Sequence, residues 1–200
     1  MKGILFKPWK IKRISEMKDD ETMVTRRVIT NPEQWMIEYD GEDCYCEDKY
    51  GDRHKVTDYA RYHVGEVVYI KEAWATDSMF DNMSFKQILE TKVATIPIWY
   101  KDNDFQEENL NTTQGRWRTP RFMPEYAARY FIKIKDVRAE RLDDITYGDC
   151  MAEGLDMSDV DYRPGWDVSK YKLLWDSINK EYPFESDPWV FRYEFSFDHK

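Results

Sequence analysis

Gly115-Arg116-Trp117-Arg118-Thr119-Pro120-Arg121-Phe122-Met123-Pro124, continuing through Tyr126-Ala127-Ala128-Arg129 into Tyr130-Phe131-Ile132-Lys133-Ile134-Lys135 and on to Leu142, decides how this chain is read. Two prolines bound a basic, aromatic loop, and the loop feeds a run whose apolar residues alternate. Alternation at a period of two puts Tyr130, Ile132 and Ile134 on one face of a strand. Beyond it, Thr146 is a good N-cap, which predicts a helix over Gly148 to Glu153 ended by Gly154. Between Arg116 and Arg141 there are eight Lys/Arg and three Asp/Glu, a local +5 in a chain of net charge −9. Cations gathered against the overall charge point to an anionic ligand, with nucleic acid or nucleotide first. Strand edges also carry Arg and Lys to discourage edge pairing, and charge alone does not separate the two readings.

Working outward, Gly3 to Trp9 reads as a short strand, and Ile11, Ile14 and Met17 sit at helical spacing within Lys10 to Lys18. Val24 to Ile29 is β-prone and stops at Asn31-Pro32, a turn signal. Trp35 to Tyr39, Asp40-Gly41 and Cys44 to Glu47 read as a hairpin. Tyr50-Gly51-Asp52 suggests another turn, and Gly65-Glu66 opens a strand over Val67 to Ile70 that leads to Glu72-Ala73-Trp74. Ser169 is read as the cap of a helix whose apolar face is Tyr171, Leu174, Trp175 and Ile178. Trp189 to Phe197 is the final strand. Residues 77–115 are different: polar, with a short helix near Ser84 to Thr91 and an Asn/Asp/Glu/Gln-rich tract from Lys101 to Gln114. The expectation is one α+β domain over residues 1–200, a small β-barrel decorated with short helices, carrying an inserted loop/helix segment at about 77–115.

Composition narrows the function classes. Two hundred residues suffice for a real core without disulfides. Cys44 and Cys46 lie one residue apart and Cys150 is distant, so no disulfide framework is expected. A metal site joining Cys44 and Cys46 to His54 and His63 is disfavoured, because zinc ligand pairs are usually two to four residues apart. No metal and no cofactor is called, and a hairpin with both thiols on its buried side is preferred. No apolar run is long enough for a bilayer and the first residues do not read as a signal peptide, so no membrane partner and a cytoplasmic location are expected. Residues 1–30 hold eight bases and four acids, whereas 31–115 hold eight and eighteen, and 142–200 hold six and fourteen. A fold that joins the two basic blocks would make one positive cleft.

Candidate ligand-binding residues follow. In a strand, Arg26 and Arg27 point to opposite faces, and Arg27 shares its face with Thr25. Thr25 and Arg27 are placed inward, where a guanidinium fork suits phosphate or a base edge; the alternative is an Arg paired with Glu153 or Glu72. Lys71 and Glu72, at the end of a strand, are candidates for the same mouth or form a surface ion pair. Trp117, Phe122 and Tyr126 surround Arg118 and Arg121, the pattern with which single strands are stacked and neutralised. Trp117 and Met123 are assigned to the core, Arg118 and Arg121 to surface contact, and Trp175, Trp189 and Phe195 to the core.

Several ordered blocks resemble a known family. They are Ile4-Leu5-Phe6-Lys7-Pro8-Trp9, Thr25-Arg26-Arg27-Val28, Gly65 to Trp74, Trp117 to Pro124, Val137-Arg138-Ala139-Glu140-Arg141-Leu142, Ala152-Glu153-Gly154, Leu174-Trp175-Asp176-Ser177-Ile178-Asn179 and Asp187-Pro188-Trp189-Val190. Together they resemble the ASCH-domain proteins of bacteriophages and prophages, whose barrel is similar to the PUA domain. The resemblance implies a PUA-like barrel and an RNA-related role. One bacterial branch of similar fold hydrolyses N4-acylated cytidines with a Lys, a Thr and a Glu. The resemblance places that Thr on Thr25, its following Arg on Arg27 and the Glu on Glu153, while Thr22 stands where the Lys is expected.

Three functions are weighed. The first is a phage-encoded accessory protein that binds RNA or a modified nucleotide or nucleoside through Arg27, Lys71, Glu72, Arg118 and Arg121. The second is an amidohydrolase on modified nucleosides using Thr25 and Glu153, disfavoured because Thr22 lacks an amine. The third is a counter-defence protein that binds a host protein or a nucleotide signal. A net charge of −9 argues against tight, non-specific duplex binding, which scales with phosphate neutralisation.

Overall fold

A computed structural model describes residues 1–30, 37–40, 43–48, 50–91, 96–101, 113–158 and 168–198. In chain order these form β1 (Gly3–Leu5), α1 (Pro8–Ser15), β2 (Thr22–Val28), β3 (Glu38–Tyr39), β4 (Cys44–Glu47), β5 (Arg53–Lys55), β6 (Val67–Lys71), β7 (Trp74–Ala75), α2 (Phe85–Glu90), β8 (Trp99–Tyr100), β9 (Phe131–Arg141), α3 (Tyr147–Ala152), α4 (Ser169–Ile178) and β10 (Trp189–Asp198). The class is α+β, and among the described residues no strand pairing closes a sheet into a barrel. No helix among them is long and apolar enough to cross a membrane. The chain divides into two compact units, one built from residues 1–16 and 68–131, the other from 17–67 and 132–199.

In the first unit, β1 runs parallel to β6 with Ile4 opposite Ile70. α1 starts at Pro8, two residues before the periodic apolar run suggests, because proline's fixed φ and missing N–H suit a first helical turn. Ile11 and Ile14 are its buried face. β7 pairs antiparallel with β8, bringing Trp74 opposite Tyr100. Trp74, Met123 and Ala127 form one buried cluster of this unit, with Phe85 and Tyr100 packed on them. The described parts of 77–115 are built into it: Phe80 and Ile88 are buried, and Ser84 and Gln87 close a capping box at the start of α2. Gly115 lies so close to Thr76 and Asp81 that a Cβ would stand 2.8 Å from the Thr76 carbonyl oxygen. Of the tract Lys101 to Gln114, residues 102–112 lie outside the described residues.

In the second unit, β10 lies between β9 and β2 and pairs antiparallel with β2, setting Tyr193 opposite Thr25 and Arg192 opposite Arg26. β9 extends the expected alternating strand as far as Arg141, with Ile132 and Ile134 buried. β3, β4 and β5 form a small meander. Asn31-Pro32, residues 35 and 36 of the expected hairpin and Gly41 of its turn lie outside the described residues. Cys44 and Cys46 are both buried, as the hairpin reading expects. α3 is N-capped by Thr146, whose side chain and that of Asp149 cap each other's backbone N–H, and Gly154 lies beyond its end at φ 91, a conformation that favours glycine. α4 corrects one expectation: Ser169 is its first residue, and its N-cap is Val168. Tyr171 and Trp175 are buried in a cluster with Leu142, Ile145, Cys150 and Phe184, whereas Ile178 is exposed and drops out of the expected face.

Candidate functional site

The first unit holds a pocket of about 470 Å³ lined by Trp74, Ser84, Phe85, Arg116, Trp117, Arg118, Thr119 and Phe122. Its volume falls within the roughly 300–1,000 Å³ of small-molecule sites. Local sequence builds it. Arg118 exchanges backbone hydrogen bonds with Trp74 at 2.7 and 3.3 Å, which pins the basic loop against β7. Thr119 caps the single turn Pro120–Phe122, which carries Phe122 to the rim. Trp117 is 39% and Phe122 72% exposed. The assignment of Trp117 to the core is therefore corrected: Trp74 and Met123 fill that position, at 1% exposure each. Tyr126 stacks on Phe85 with ring centroids 4.0 Å apart.

The two arginines of the pocket differ. Arg118, expected as a surface contact, is part-buried and turned inward, its Nη2 and Nη1 donating to the Phe80 and Met83 carbonyls at 2.9 and 3.3 Å. Burial, with the charge of Arg116 beside it, lowers its pKa. Its Nε and the indole Nε1 of Trp74 are buried with no hydrogen-bond partner among the described residues. Arg116 is exposed; its backbone N–H donates to Asp81 at 2.8 Å. Arg121 is likewise exposed, and its carbonyl accepts from Lys71 Nζ at 3.2 Å.

Lys71 and Glu72 do not pair with each other. Glu72 is 1% exposed and is gripped by Arg129 through Nε at 3.0 and 3.2 Å and Nη2 at 2.6 Å. Burial would lower the Arg129 pKa, but Glu72 reverses the sign and raises it. The guanidinium also lies 4.3 Å from the Tyr100 ring centre and 4.6 Å from that of Tyr130. Glu72 is thus a structural anchor, and Arg129 is the partner that sequence reasoning missed.

The second unit holds a buried charge cluster. Thr25 is 5% exposed and shares its strand face with Arg27, which is half-buried. Burial lowers the Arg27 pKa, against the opposing influence of Tyr62 and Glu153. Arg26 is the more deeply placed arginine, its side chain 1% exposed, with Nε 2.7 Å from Glu140, Nη2 3.1 Å from Asp149 and Nη1 3.3 Å from Glu153. Burial would lower its pKa, but Glu153, Glu140, Tyr171 and Asp149 together raise it. The arginine that hydrogen-bonds Glu153 is therefore Arg26, a role the sequence assigned to neither arginine specifically. Asp149 also stands 3.4 Å from Arg192 Nε, so it bridges two arginines that face each other across β2 and β10. Burial works against its ionisation, yet Thr146 and Arg26 pull its pKa down to about 2. Glu153 is 5% exposed and lies 3.5 Å from the Tyr171 hydroxyl, whose pKa burial and Glu153 push well up. Thr22, where the resemblance expects a lysine, is exposed.

Thr25, Arg27 and Glu153 thus share one unit, and Lys71, Glu72, Arg118 and Arg121 the other. Among the described residues no group of three His, Cys, Asp or Glu is placed to hold a metal ion. Compared with protein-family models, curated proteins and solved structures, the chain gives no match.

Proposed function

We propose that this chain binds a nucleotide, or a short single-stranded RNA, in the pocket of its first unit. One observation carries the reading: the exposed Arg116, Trp117 and Phe122 line one pocket, with Arg118 turned inward behind them. Guanidinium groups neutralise phosphate and aromatic rings stack on bases, the pairing that holds single strands without a duplex groove. Arg121, exposed on the turn next to Phe122, and Lys71, which donates to the Arg121 carbonyl, add positive charge in the same unit. The acidic remainder of the chain disfavours long duplexes. The ordered sequence blocks support, in the same reading, an ASCH-type PUA-like barrel and the role of a phage accessory protein, and the lack of a bilayer-length apolar run supports a cytoplasmic setting.

The hydrolase reading draws less support. Glu153 is already bound to Arg26 and Tyr171, and Thr22 offers no amine to activate a nucleophile. The test is titration of tryptophan fluorescence with mononucleotides and a twelve-nucleotide RNA. Arg116→Ala and Trp117→Ala should each weaken binding by about 1–3 kcal/mol, with little change in thermal stability because both residues are exposed. Saturable binding that neither variant weakens would remove the pocket from the reading, and no binding at all would remove the reading.

A further inference from the structure

A cavity of about 470 Å³ lies within the second unit, where the turn at Asp19 and Asp20 meets the start of β2 and the end of β10. Antiparallel register sets its order. Thr22 stands opposite Ser196 and Val24 opposite Glu194, so Thr22 and Ser196 form a hydroxyl rung on the strand face that also carries Glu194. Glu194 lies two residues to one side of that rung, about 7 Å along the strand. The Asp19–Asp20 turn lies on the other side, two residues before Thr22. Carboxylates thus flank the hydroxyls. Lys135 from β9 is the one cation in the wall, and Phe197 completes it.

These groups are open to a ligand. Ser196 is 9% exposed, yet no hydrogen bond engages its hydroxyl among the described residues. Its oxygen is not sealed among the buried unpartnered atoms either, so it opens into the cavity that the residue lines. Asp20 is exposed, and its carboxylate has no partner among the described residues. Glu194 accepts from Arg192 through Oε2 at 3.4 Å, which leaves Oε1 unengaged. Three carboxylates against one ammonium attract cations. Among the described residues no three such groups converge on a metal ion, whereas carboxylates on both sides of a hydroxyl rung suit ammonium groups spaced along a chain. A hydroxyl accepts from N–H, and a desolvated one without a partner gains most from doing so. We propose that this cavity binds a linear aliphatic polyamine, with terminal ammonium groups on Asp20 and Glu194 and an inner amine on Ser196. It shares no residue with the pocket proposed for nucleotides.

Calorimetric titration with spermidine, at one salt concentration throughout, should show a single saturable site. Asp20 sits at φ 68, a conformation that asparagine tolerates as well as aspartate, so Asp20→Asn removes the charge without straining the turn. It should weaken binding about fivefold, and Ser196→Ala should weaken it to a similar degree. Lys135→Met, at an exposed position, removes the opposing cation and should tighten binding about twofold. Glu90→Gln removes an exposed acid outside the cavity and controls for the general attraction of a polyamine to a chain of net charge −9; it should change nothing. Absence of saturable binding to the parent chain would overturn the site. So would affinity that survives both Asp20→Asn and Ser196→Ala, equal weakening by Glu90→Gln and Asp20→Asn, or weaker binding by the Lys135→Met variant.

Discussion

Replacing Asp149 by Asn probes the charge cluster at the point where two cations are forced together. Arg26 and Arg192 occupy directly opposed positions on β2 and β10, and like charges so placed repel. Asp149 stands between them, 3.1 Å from Arg26 Nη2 and 3.4 Å from Arg192 Nε. The amide keeps the size of the side chain and an oxygen able to accept from the Thr146 backbone N–H, so the substitution removes chiefly the charge. In the folded chain the carboxyl titrates at about 2 instead of 3.8. At about 1.4 kcal/mol per pKa unit this is worth at most roughly 2.5 kcal/mol, and partial solvent access reduces it to about 1–2 kcal/mol. The depressed pKa sets the sign. The contribution is fully present above the unfolded pKa and is lost as pH falls from about 4 toward 2. Urea unfolding at pH 7 should therefore show Asp149→Asn less stable by about 1–2 kcal/mol, with the gap closing by about pH 2. Adding Arg192→Gln at pH 7 should restore part of the loss by removing the repulsion. A gap below about 0.5 kcal/mol at pH 7, or one that persists unchanged to pH 2, would refute the bridging role.

Two further outcomes test the rest of the fold. Arg129→Ala leaves Glu72 buried and unpaired, and should cost about 3–5 kcal/mol in urea unfolding; Arg129→Met with Glu72→Leu should recover most of it, and a single-variant cost below about 1 kcal/mol would contradict the anchor. All three cysteines are buried, and burial, then the nearby Asp43 and Asp40, push the Cys44 thiol up to about 11. Ellman's reagent at pH 8 should therefore label the native protein only as fast as it unfolds, and a rapid phase from native protein would show a thiol this structure buries.

What was legible in the sequence is what neighbouring residues settle among themselves. Thr146 with Asp149, and Ser84 with Gln87, close capping boxes within one helical turn, so the starts of α3 and α2 are local events. The alternation of Ile132 and Ile134 needs only the pleat of a strand, and the turn at Gly51 only a residue tolerant of φ 84. Strand parity likewise separates Arg26 from Arg27. It cannot say which of the two faces meets carboxylates, because those come from Glu140 on β9, and from Asp149 and Glu153 at α3, more than a hundred residues along the chain. Trp117 and Trp74 are equally apolar as letters. Only the pairing of β7 with β8 and the packing around Met123 bury one ring and leave the other at the pocket rim. Arg118 reads as a surface cation until Phe80 and Met83 present their carbonyls to it. Propensity and capping act over a few residues, whereas desolvation and charge pairing depend on which distant segments meet, and tertiary structure alone decides that.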